Sequence, residues 1–387
     1  MRTRILLVNS LLAVAWLAAC AQAPLPTLIV MPTITPSLPQ PTPTDPPLIL
    51  SETPSPVPDT ATPTETPTLA PSATPTLTET SSPSRVVNLD AVGDIMLGRT
   101  IADQVLANGP QVVFAGVQSV LDQADLRVGN LECSISSHGS PVHKSYTIQA
   151  PPITAKALAL GKFDLVTLAN NHSMDYGIQG LADTQNNLSL YGIESVGAGT
   201  NFSRAHMPVI LEKNGLRLAF LGYVDVPVEN TGFDAHTWIA TQTQPGIAWA
   251  DPNQIKIDVA AAKTQADLVI VMLHSGYENV SSVMANQSRE AHAAIDAGAS
   301  LVIGAHPHIL QGIERYHGGL IAYSLGNFVF DDYQGISNAT IILHVVLTPQ
   351  GVQSYDYVPV VIENGLPAVT AIENAMGIQT LVAPLNP

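Results

Sequence analysis

Two spacings of apolar residues alternate along most of this chain. Short apolar runs of strand length fall at residues 86–92, 125–128, 164–168, 193–196, 267–273 and 300–303. Runs of this length, bounded by turn and polar residues, predict buried strands. Between them, Val113, Phe114, Val117, Val120 and Leu121 have helical spacing, as do Ile178, Leu181, Ala182 and Leu188. Residues 153–160, 255–263 and 289–297 predict further helices, the first with Pro151 and Pro152 ahead of it and Gly161 as its C-cap. Residues 207–211 and 216–223 flank a Lys-Asn-Gly turn, and 312–316 and 320–324 flank His317-Gly318-Gly319; both pairs predict hairpins. Residues 225–252 lack periodicity and are expected to form a long loop near the active face. Residues 339–348 and 355–363 are late strands. Strand and helix thus alternate over the first two-thirds, and the end is mostly strand. That order predicts an α/β or α+β layered sandwich of mixed sheets rather than a uniform doubly wound fold.

The N-terminal part does not fit this pattern. Arg2 and Arg4 precede an apolar region at residues 5–19, which closes on Leu17-Ala18-Ala19-Cys20. This predicts a secretory signal. The apolar region is short for a membrane span, which needs roughly 20 apolar residues. LAAC resembles the cleavage and lipidation box of bacterial lipoproteins, which implies acylation at Cys20 and a lipid anchor on the extracellular face of the membrane. An ordinary signal peptide or a signal anchor is the alternative. Residues 21–84 are dominated by Pro, Thr and Ser and predict an extended linker. At about 3.1 Å per residue, it can hold a domain up to roughly 200 Å from the membrane. The folded domain is expected at residues 85–387.

The net charge of −16 weighs against nucleic-acid binding, which depends on clustered Lys and Arg. It leaves room for an anionic substrate at a metal site, where the ion supplies the positive charge. Only two cysteines occur, so there is no disulfide framework. Cys133 is expected to be a small buried apolar residue.

Groups able to bind metal or move protons gather where strands end. The stretches are GDIMLGR (93–99), GNLE (129–132), LANNHSMDYG (168–177), HSGYE (274–278) and GAHPH (304–308). In open α/β sheets that edge is the usual ligand crevice. A two-metal centre needs a bridging carboxylate and several ligands on each side. Asp94, Glu132, Asn171, His274, His306 and His308 are assigned as those ligands. His172 is left for the substrate or leaving group, as a proton donor or charge stabiliser, with Asp175 to orient it. Asn130 is assigned to substrate. Arg99 either steadies an anionic substrate or makes a surface ion pair. Glu278, four residues after His274, is expected to orient that imidazole. His138, His143, His206, His292 and His317 are read as surface or packing residues; the alternative for His143, with its neighbour Lys144, is a reach toward substrate from their polar loop.

These stretches, with GAHPHILQGIE and YSLGNFVFD, resemble the CapA family of poly-γ-glutamate capsule synthesis proteins, which is related to calcineurin-like metallophosphoesterases. The resemblance runs over residues 86–331. It implies a four-layer α/β/β/α metallophosphoesterase-like sandwich and one or two divalent ions (Mn, Mg, Zn or Fe). It gives the metal-ligand role to Asn171 and the catalytic role to His172. The superfamily's first motif is Asp-x-His; here it reads Asp94-Ile95-Met96, without the histidine. The bridging position falls on Asn130 or Glu132, with Glu132 favoured by its charge. Two functions follow. One is a metal-dependent hydrolase-like site acting on an anionic polymer or small anionic substrate in capsule synthesis, processing or export. The other is a metal-stabilised scaffold subunit working with capsule synthesis or export membrane proteins.

Overall fold

A computed structural model describes residues 85–331, 335–371 and 384–385. The expected signal, Cys20 and the linker at 21–84 lie outside the described residues. Two large sheets form the centre. The first runs, in spatial order, Leu366–Val369, Gly351–Glu363, Ala339–Thr348, Val87–Ile95, Leu126–Leu131, Leu165–Thr167 and Glu194–Val196. The last four are mutually parallel, and the late strands join antiparallel. The second sheet runs Pro384–Leu385, Ile313–Tyr316, Gly319–Ala322, Leu301–Ala305, Leu268–Ser275, Leu216–Asp225 and Val209–Lys213. Its middle four strands are parallel. Both predicted hairpins are present.

Alternation along the strands builds three apolar layers. Val87, Leu89 and Ala91 pack with Leu218, Phe220, Ile270 and Met272 between the sheets. On the outer face of the first sheet, Val92 and Ile95 pack with residues of the helices Arg99–Asn108, Ala155–Leu160 and Gly177–Ser189. On the outer face of the second, Leu221, Val269 and Val271 meet the helices Pro252–Lys263 and Ala285–Asp296. The result is the α/β/β/α sandwich that the family resemblance implies, and it agrees with the layered mixed sheets read from the periodicity. Each fully buried Leu, Ile or Phe contributes about 1.5–3 kcal/mol, so these layers dominate the fold's stability.

Two local expectations change. The segment at 113–121 is not one helix: a 3-10 turn at Pro110–Val112 and a short helix at Gln118–Leu121 replace it. Gly116, between them, packs against the backbone of Pro367 and Ala368. The first strand also runs past its predicted end to Ile95. It does so because Asp94 and Ile95 gain a parallel partner, Asn327–Val329, across a bulge. Gly93 permits this approach, since a Cβ there would stand 1.8 Å from the Gly326 carbonyl oxygen. The extension is what carries Asp94 to the sheet edge.

Candidate metal centre

The parallel strands of both sheets end on the same edge, and their terminal residues converge. Asp94 and Asn130 are register partners at the ends of adjacent strands, and Asn130 pairs in turn with Thr167. His274 is the penultimate residue of its strand, level with Ala305, which His306 follows directly. His306 and His308 both hold positive φ, at 96° and 58°. Non-glycine residues in that region carry strain that the surrounding structure must support, as happens at functional sites.

Asp94, Glu132 and His274 are buried and offer ligand atoms all within 4.8 Å of one another. The other three predicted ligands stand against this trio. Asn171 Oδ1 is 3.0 Å from His274 Nε2, His306 Nδ1 is 3.1 Å from the same nitrogen, and His308 Nδ1 is 3.3 Å from Asp94 Oδ2. Glu132 Oε1 is buried and without a hydrogen-bond partner, as is His306 Nε2. Glu132 Oε1 faces His308 Nε2 at 3.8 Å, His172 Nε2 at 3.9 Å and His274 Nε2 at 4.0 Å. An orphaned carboxylate oxygen ringed by imidazole nitrogens fits a divalent cation, because buried polar atoms are otherwise satisfied.

The electrostatics agree. Burial, and then the neighbouring Asp94 carboxylate, push the Glu132 carboxyl well above the usual range. Burial holds His274 and His306 well below the usual histidine range, so both imidazoles are neutral and able to ligate. Burial pulls His308 down as well, but Glu132 and Asp94 outweigh it and raise it to about 10. Two buried carboxylates need positive charge, and a divalent ion provides it.

The remaining predicted residues find definite places. His172 gives Nδ1–H to Asp175 Oδ2 at 2.7 Å, since a carboxylate can only accept, and turns Nε2 toward the centre. Burial lowers its pKa against the opposing pull of Asp175, which favours the neutral ring. Asn130 is buried, donates to Asp94 Oδ1 at 2.8 Å and lies 3.1 Å from His274 Nδ1. It sits within the ligand cluster and lines neither of the large cavities above it. Arg99 pairs with Asp331 at 2.8 Å while lining one of those cavities. Cys133 is fully buried, and burial raises its thiol to about 12.

Glu278 does not orient His274. The backbone bends at Gly276, φ 110°, and carries Glu278 to the exposed rim, while Asn130 meets the imidazole instead. His143 is exposed, but Lys144 turns inward. Its side chain is fully buried, with Nζ 3.1 Å from both Asp175 and Glu229 and over the rings of Phe233 and Trp238. Nζ also donates to the Asn171 carbonyl. Two further supports lie inside the quoted motifs LANNHSMDYG and YSLGNFVFD without an assigned role. Asn170 donates to Asn130 Oδ1 and to the Leu131 carbonyl, and accepts from the His172 amide. Asn327 Oδ1 meets His308 Nδ1 at 2.8 Å.

Behind His274, Ser275 donates to the buried Glu290 at 2.7 Å. Burial, aided by Asp225, raises the Glu290 carboxyl from its ordinary 4.5 to about 9. A raised folded-state value means this group's contribution is complete below pH 4.5 and is lost as pH rises through about 9. Urea unfolding across that window is expected to show falling stability in the wild type. The slope is expected to flatten in Glu290→Gln.

Comparison with known proteins gives the family. Residues 88–332 match the family described as Bacterial capsule synthesis protein PGA_cap. The chain is 33% identical over 286 residues to the PGA biosynthesis protein CapA of Bacillus subtilis (strain 168), covering 73% of each chain. It is 34% identical over 289 residues to the Capsule biosynthesis protein CapA of Bacillus anthracis, covering 73% of this chain and 69% of the other. Among solved structures, a putative 5'-nucleotidase from Staphylococcus aureus aligns at a TM-score of 0.45 with 15% identity, over 76% of this chain and 57% of that one. With a buried Asp/Glu/His cluster consistent with a metal-dependent hydrolase-like active site, and with matched residues that span every strand end contributing to it, the chain belongs to the bacterial capsule synthesis protein PGA_cap family.

Proposed function

We propose that this protein is a lipid-anchored surface hydrolase acting in poly-γ-glutamate capsule synthesis, processing or export. Its anchor is Cys20, residues 21–84 are its spacer, and its substrate is an anionic polymer or a smaller anionic intermediate. The names of the Bacillus relatives support the pathway. The observation that carries the chemistry is the unpartnered Glu132 Oε1 facing His172, His274 and His308. Asp94, Glu132, Asn171, His274, His306 and His308 would hold the ion or ions. A bound divalent ion supplies Lewis-acid polarisation of a phosphoryl or carbonyl oxygen and makes water a better nucleophile at neutral pH. The chain's own residues do the rest. Asp175 fixes the His172 ring, and Nε2 of that ring takes up or delivers a proton at the group being cleaved. Asn130 holds Asp94 in place.

A second reading, a metal-stabilised scaffold for capsule membrane proteins, has one observation in its favour. Met96 stands where the superfamily places a histidine, and its side chain is fully buried with Sδ 3.2 Å from the Gly98 amide. The purified full-length chain, supplied with Mn, Mg or Zn, separates the two. Turnover of a phosphomonoester, a phosphodiester or poly-γ-glutamate is expected. It should vanish in Asp94→Ala and in His172→Ala, with metal retained in the latter. Metal binding without turnover on any of the three establishes the scaffold.

A further inference from the structure

The centre forms the floor of two adjoining cavities of about 430 and 410 Å³. Tyr146, His172, Glu278 and Asn279 line both and make a shared waist. Beyond the waist the walls differ. One lobe has Asn171 and His306 on its floor and Val226, Pro227, Val228 and Val280 on its wall. The other has His308 on its floor and Arg99, Ile148, Phe330 and Ser337 around it. Each lobe therefore touches a different ligand imidazole, while His172 faces both.

A site that trims chain ends needs one cavity and a wall behind the reacting bond. Here there is room on both sides, and each lobe alone falls in the roughly 300–1,000 Å³ range of small-molecule sites. The flanks supply no net positive charge: Asp331 answers Arg99 at 2.8 Å, Lys144 is shared between Asp175 and Glu229 at 3.1 Å, and the exposed Glu278 at the waist adds a further carboxylate. The attraction for an acidic chain is concentrated on the floor, at the ion, and the lobes add contact area through Tyr146 and the valines. That distribution holds a chain at its middle.

We infer that the protein grips a linear polymer on both sides of the reacting bond and cleaves it internally. This rests on the hydrolase reading above. For a γ-linked glutamyl chain, water's hydroxyl bonds to the carbonyl carbon and the C–N bond breaks. Water's other proton goes to the departing nitrogen, leaving one chain with a new carboxyl group and the other with a new amine, and at neutral pH the carboxyl's proton passes to the amine to give carboxylate and ammonium.

The test uses the full-length chain with Mn and γ-linked glutamyl oligomers capped at both ends. Val228→Trp fills one lobe and Ser337→Trp the other; neither residue belongs to the ligand set. A long capped oligomer is expected to bind about tenfold more tightly than the capped dimer, and each tryptophan should remove most of that gain. Cleavage products should be internal fragments. A wild type that binds long and short oligomers equally, a length gain that survives either tryptophan, or release of single end units from uncapped chains overturns the inference while the hydrolase reading stands. If no oligomer binds although the ion is held, the polymer reading itself fails and the inference falls with it.

Discussion

Lys144→Met is expected to cost about 3–5 kcal/mol of folding stability, the penalty for removing one partner of a buried ion pair. The ammonium is fully enclosed and stands 3.1 Å from both Asp175 and Glu229. Asp175 is itself fully buried, so losing the lysine leaves its charge without its cationic partner. The loss also reaches the site, because Asp175 holds the His172 ring at 2.7 Å and Lys144 holds the Asn171 carbonyl. Pairing Lys144→Met with Glu229→Gln removes one of the stranded charges and should recover part of the stability. Denaturant unfolding of the two variants checks this. A single variant within about 0.5 kcal/mol of wild type, the range of an ordinary surface change, rules the account out.

Glu132→Gln is expected to act in opposite directions with and without metal. Burial and the Asp94 carboxylate make the charged form of Glu132 costly in the ion-free protein. The neutral amide should therefore stabilise that form by roughly 1–3 kcal/mol. With Mn present the order should invert, since the charged oxygen is what grips the ion. Metal affinity should drop on the order of 10²-fold, at least what an outer partner of a ligand is worth. Thermal unfolding of both proteins, with chelator and with saturating Mn, reads the inversion directly. If Glu132→Gln is the less stable protein in both conditions, the carboxylate has a structural role unrelated to an ion.

The legible parts of this protein were those where one local pattern carries both the element and the chemistry. Apolar runs ending in Gly-Asp, Gly-Asn or a histidine mark strand ends, and Asp94, Asn130, Glu132, His274 and His306 sit at or beside those ends. The layering followed from the same runs. What escaped depends on contacts between distant segments. Lys144 lies in a polar loop, and its sequence context points it toward substrate rather than into the core. Its partners Glu229, Phe233 and Trp238 come from the aperiodic stretch after residue 225, so nothing local marks it as buried. Glu278 misled for the opposite reason. The four-residue spacing from His274 is a helical argument, and the chain there leaves a strand through a bend. Asn327 supports His308 from a short strand inside the YSLGNFVFD motif, but its role appears only once that strand pairs with Asp94.

Elemental analysis of the full-length chain, stripped with chelator, exposed to Mn and dialysed, tests the convergence of Asp94, Glu132 and His274 on an ion. At least about one equivalent of metal per chain is expected, falling close to zero when Asp94→Asn and Glu132→Gln are combined. A folded wild type that emerges from the same treatment without metal contradicts the account.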